Sequence, residues 1–221
     1  MIKNNNPFQN HLIQSWYLDG LSEISFGISL MLYGGMHYGF SQVETASLRG
    51  YLLGIGFPIL VIATTYGVRL LVKLFKEKIT YPRTGYIRFR KAPTQKRIKN
   101  IALRVGTMVG VMTGVNLLIF FFAERLTPMM VSFLSWSFIS LAFAAIALWQ
   151  GIRFDLLRFK LIAVTELLLG FATGLWVPET FHMLVFLAGS GLIWLISGGG
   201  VLFQYLRETP VVAEEEYDAE A

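Results

Sequence analysis

Cysteine does not occur in the 221 residues. Its absence excludes disulfides, thiolate zinc and iron–sulfur sites, cysteine nucleophiles and palmitoylation. Charge is scarce as well: Asp, Glu, Lys and Arg make up 15% of the chain, against about 25% in a soluble domain. There are three histidines. Two of them, His37 and His182, fall near the outer ends of apolar runs with no third ligand close in sequence, so no metal site is expected. Zincin, P-loop and dinucleotide-binding patterns are missing too. The glycine clusters at Gly54–Gly56 and Ser197–Gly200 lack the strand–turn–helix setting that phosphate binding needs. No cofactor and no enzymatic activity are expected.

What remains is apolar. Hydrophobic residues are 54% of the chain and the mean hydropathy is +0.55. The apolar runs approach or exceed the roughly 18 residues needed to cross a bilayer. The expected fold class is all-α: a polytopic membrane helical bundle with six transmembrane helices. The spans are expected at 21–40, 50–72, 101–123, 129–150, 161–177 and 181–205, in one membrane domain over 1–206. An acidic disordered tail is expected over 207–221. Trp16 and Tyr17 precede the first run, where an aromatic belt belongs. No small-x-small cleavage pattern follows that run, so it reads as a retained helix and not a signal peptide. Pro58 predicts a kink in the second span.

The one long polar interruption is 73–100. It holds Lys73, Lys76, Lys78, Arg83, Arg88, Arg90, Lys91, Lys96, Arg97 and Lys99 against the single acid Glu77. This stretch is therefore +9 in a chain of +5, and the remainder is −4. A pI near 9.5 would suggest nucleic acid as partner in a soluble protein. Here the basic residues lie in what reads as a membrane loop, and no nucleic acid is expected. Lys and Arg in short loops mark the cytoplasmic side. With six spans, loops 73–100 and 151–160 share that side with both termini, and the opposite loops hold a single Arg. The centre of the basic loop, Tyr81–Arg90, reads as a hairpin or as an irregular loop. Arg83, Arg88, Arg90 and Lys91 are the candidate contacts to anionic lipid headgroups or a partner; the other reading is a topology signal with solvated charges. The acidic tail, on the same side, would compete for this loop.

Four ionisable residues fall at membrane depth: Asp19 and Glu23 one turn apart, Arg104 in the third span and Glu166 in the fifth. Charges there are costly unless paired or snorkelling. Three readings stand: an ion pair, Arg104 with Glu23 or Glu166; charges that snorkel to the interface; or a transporter's polar site. Gly106, Gly110 and Gly114 recur at four-residue spacing on the third span and predict close helix packing, within the chain or with another copy. Gly35/Gly39, Gly50/Gly54 and Gly170/Gly174 share that spacing. Asn116 on the third span suits an interhelical hydrogen bond. The spans group as three hairpins, and Glu23/Gly27 and Glu166/Gly170 repeat one spacing. A parallel triplication is one reading and chance similarity the other.

Ala188-Gly189-Ser190-Gly191 is similar to the GxSG of rhomboid intramembrane proteases, with Ala in place of the first Gly. His182 lies eight residues earlier on the same helix, about 12 Å away by helical rise and out of reach of Ser190. A second likeness rests on Trp16, Tyr17, Asp19, Gly20, Leu21, Glu23 and Ile24 (W-Y-x-D-G-L-x-E-I) and on Lys78–Ile87, which contains Y-P-R-T-G-Y. Through these residues the chain resembles a group of uncharacterised prokaryotic multi-pass membrane proteins. That resemblance implies a cytoplasmic-membrane location and brings no activity. The functional expectation is a non-enzymatic membrane subunit or scaffold, associating with lipid, with itself or with a membrane partner. The alternative is a small transporter with its site at Glu23, Arg104 and Glu166.

Overall fold

The computed structural model describes residues 19–80, 110, 114, 117, 121 and 125–209. Every regular element among them is helical. Helix α1 spans Leu21–Ser41. Helix α2 runs unbroken for 35 residues over Ala46–Thr80. Helices α3 (Pro128–Phe154) and α4 (Leu157–Trp176) follow, then a 3-10 turn over Glu179–Phe181 and helix α5 (His182–Glu208). Residues 110, 114, 117 and 121 are helical as well. Helices are the expected solution in lipid, because each satisfies its own backbone polar groups.

Four of these helices are long and apolar enough to cross a membrane: α2, α3, α4, and α5 with its leading turn. Helix α1 has the length, 21 residues. It also carries Ser22, Glu23, Ser25, Ser29 and His37, which lower its apolar character. The third expected span lies mostly outside the described residues.

Two helix ends differ from the sequence expectation. The second span was expected to stop at 72, but α2 continues to Thr80. Residues 73–80 contain no breaker, and Lys73 pairs with Glu77 at 3.7 Å one turn on, an arrangement that supports helix. Charge by itself does not end a helix. The fifth span was expected from 161, but α4 starts at Leu157. Asp155 closes α3 in the left-handed conformation (φ 53°, ψ 45°), so a two-residue turn suffices and the polar Arg158 and Lys160 fall on α4.

Just upstream of Pro58 the helix changes its hydrogen-bond pitch. Leu52–Gly56 forms a π-helical turn. Proline has no N–H to donate and its ring crowds the carbonyl four residues back, here Gly54 inside that turn. A second π turn covers Lys76–Thr80.

The chain divides into two compact units, Met1–Tyr86 with Leu187–Ala221, and Ile87–Phe186. In the first, α1 runs antiparallel along α5 through glycine. A Cβ on Gly27 would lie 2.6 Å from the Gly191 carbonyl oxygen, and one on Gly191 would lie 2.6 Å from that of Gly27. Seven residues away on each helix, Gly20 and Gly198 meet in the same manner. Helix α2 joins through Tyr33, whose hydroxyl donates to the Val61 carbonyl at 3.2 Å and sits 3.1 Å from Thr65 Oγ1. In the second unit α3 packs on α4. Gly170 faces Ser140 and the Trp136 carbonyl, Gly174 faces Phe133, and Gly151 faces Lys160. Dispersion and close backbone approach drive such contacts in lipid, where apolar area gives little.

Candidate functional site

The first unit holds a buried polar cluster built around Asp19. Asp19 and Gly20 form the turn that starts α1. Gly20 is left-handed (φ 65°), which glycine adopts without steric cost. The turn aims the Asp19 carboxylate at the helix N-terminus, where Oδ1 accepts from the Leu21 N–H at 3.2 Å. A carboxylate there also meets the positive end of the helix dipole.

The other carboxylate oxygen receives the end of α2. Lys76 Nζ lies 2.9 Å from Asp19 Oδ2, and Thr80 Oγ1 donates to the same oxygen at 3.0 Å. Lys76 and Thr80 open and close the second π turn, which presents both side chains to one acceptor. Asp19 is 1% exposed and Lys76 3%. This is therefore a buried ion pair, whose rupture on one side typically costs about 3–5 kcal/mol. The Tyr205 hydroxyl of α5 reaches the Thr80 carbonyl at 3.5 Å.

One turn into α1, Glu23 is buried at 1% exposure. Its Oε2 accepts from the Ser197 hydroxyl of α5 at 2.7 Å. The neighbouring Gly198 makes this approach possible. A Cβ there would stand 2.7 Å from the Ile24 nitrogen and 2.8 Å from Glu23 Cβ. Three helices thus meet on two carboxylates, and the contacts of Asp19 close on the protein itself.

The sequence brought Asp19 and Glu23 into view, and both are in this cluster. It missed Lys76, Thr80, Ser197 and Tyr205. The expected cation, Arg104, lies outside the described residues, as do Arg83, Arg88, Arg90, Lys91, Gly106 and the hairpin at Tyr81–Arg90. Glu166 is fully buried on α4 of the second unit. Gly110 and Gly114 are exposed, and among the described residues nothing lies within 4 Å of a Cβ built on either.

The second unit contains an open cleft of about 410 Å³, lined among others by Ser132, Ser135, Trp136, Glu179 and His182. His182 Nε2 is 2.7 Å from the Val177 carbonyl oxygen. A carbonyl only accepts, so Nε2 carries the proton and donates it there. Ser132 Oγ stands 3.5 Å from the same nitrogen and therefore faces a donor, not a general base. The edge-to-face contact of the ring with Trp136, 5.5 Å between centroids, fits a histidine that ties the start of α5 to α3. Among the described residues no three of His, Asp and Glu come together as metal ligands would. Compared with protein families, with curated proteins and with solved structures, the chain matches none.

Proposed function

We propose that this chain is a non-enzymatic subunit or scaffold of a prokaryotic cytoplasmic membrane, with six spans and both termini cytoplasmic. The observation that carries the reading is the closure of Asp19. Three donors from α1 and α2 occupy its two oxygens at 2.9–3.2 Å, as in a clamp between helices. A transport site would instead hold its carboxylates toward water. Glu23, in the same cluster, is held by Ser197. The W-Y-x-D-G-L-x-E-I resemblance fits this role, since its Asp, Gly and Glu are the residues that build the clamp. The bilayer is the first partner: α2 presents Tyr51, Ile55, Ile59, Ile62, Tyr66 and Leu70 outward, a surface suited to lipid tails or to another membrane helix. The sidedness rests on the basic loops 73–100 and 151–160.

Because the chain has no cysteine, each introduced thiol is unique. In sealed membranes, Ser47→Cys and Glu77→Cys, at opposite ends of α2, should react with a charged thiol reagent from opposite sides, Glu77→Cys from the cytoplasmic one. Ser197→Cys should stay unreactive until the protein is unfolded. Modification of Ser197→Cys as fast as Glu77→Cys would reveal a water-filled path to Glu23 and favour the transporter.

A further inference from the structure

The turn between α3 and α4 carries a set of charges that the Asp19 cluster does not use. Arg153, exposed in the last turn of α3, holds its guanidinium 5.0 Å above the Trp149 ring and 5.4 Å above that of Phe154. Around it Trp149 is 47%, Ile152 66% and Leu157 69% exposed. An apolar collar therefore ends in an indole with a cation stacked on it. Tryptophan in this position marks the headgroup level of a bilayer. The ring holds the guanidinium at that level by cation–π attraction, and its donor fork matches phosphate oxygens.

A second cation is held on the same turn. Gly151 leaves room for the Lys160 stem, which approaches to within 2.9 Å of where a Cβ would stand. Lys160 Nζ then lies 3.3 Å from Asp155 Oδ1, a pair with 39% and 91% of its side chains exposed. A pair so exposed is weak, and a phosphate can take the place of Asp155. Among the described residues Arg153 has no carboxylate partner.

We propose that the α3–α4 turn is a headgroup site for anionic phospholipid, held by Arg153 on Trp149 and by Lys160, with Asp155 as the competing anion. The site rests on the membrane reading above and uses other residues than Arg83, Arg88, Arg90 and Lys91.

The test is native mass spectrometry of the purified full chain in mixed micelles containing phosphatidylglycerol or phosphatidylcholine. The wild-type chain should retain more phosphatidylglycerol. Arg153→Gln should lower that excess about five-fold, the effect of one basic residue near an anionic surface. Asp155→Asn, which tolerates the left-handed backbone, should raise it. Equal retention of the two lipids, or an excess unchanged by both substitutions, would overturn the site and leave the membrane reading intact. If Arg153→Gln does not fold, absence of a rise in Asp155→Asn overturns the site alone. Retention of neither lipid would contradict the membrane reading and the site together.

Discussion

At the scale of the residue, Gly20 meets two demands at once. Its φ of 65° is left-handed, and a Cβ there would run into the Gly198 carbonyl oxygen and stand 3.1 Å from the Leu202 nitrogen. The left-handed backbone alone costs a non-glycine residue about 1–2 kcal/mol. Gly20→Ala should therefore destabilise the protein by at least about 2 kcal/mol once the clash is added. Gly39→Ala, where among the described residues nothing lies within 4 Å of an added Cβ, should not destabilise it, since Ala is favoured over Gly in a helix by up to about 1 kcal/mol. Unfolding in lipid bicelles measures both. Asp19 and Glu23 were legible because acids are conspicuous at the edge of an apolar run; that Asp19 stands in a turn ahead of the helix was not. Lys76 was not. It is one of ten basic residues in a single stretch, and nothing local distinguishes the one that is buried. Its selection depends on α2 remaining helical as far as Thr80, which brings Lys76 and Thr80, four residues apart, to the same carboxylate.

At the scale of the element, glycine spacing proved a partial guide. Of the four-residue pairs, Gly170/Gly174 packs tightly, against Ser140, Trp136 and Phe133, whereas Gly35/Gly39 and Gly50/Gly54 meet nothing among the described residues. The α1–α5 contact uses Gly20/Gly27 and Gly198/Gly191, spaced by seven. A spacing of four or seven marks one face of a helix equally well; which face is used depends on the partner's register, which a single helix does not encode. The Glu-x-x-x-Gly spacing does recur with common burial. Glu23 and Glu166 are both buried, and Gly27 and Gly170 each take a neighbouring helix at backbone distance. Gly170→Ala should accordingly destabilise the protein by about 1–3 kcal/mol through overpacking, while Gly35→Ala should not destabilise it. Equal effects from the two would show that helix propensity, not contact, governs these positions.

At the scale of the whole molecule, composition alone was enough for the class. Among the described residues four helices have the length and apolarity to cross a bilayer, as 54% hydrophobic residues predict. The ends of those helices were less legible, since hydropathy changes sign where charge begins and the backbone hydrogen-bond ladder does not. The central claim is that the buried charges hold helices together. A double-mutant cycle on Asp19→Asn and Lys76→Met, by reversible unfolding of the full chain in bicelles, tests it most directly. Each single substitution is predicted to cost about 3 kcal/mol or more, with the double costing less than their sum by a coupling of about 2 kcal/mol. Additive effects with coupling near zero would contradict the clamp.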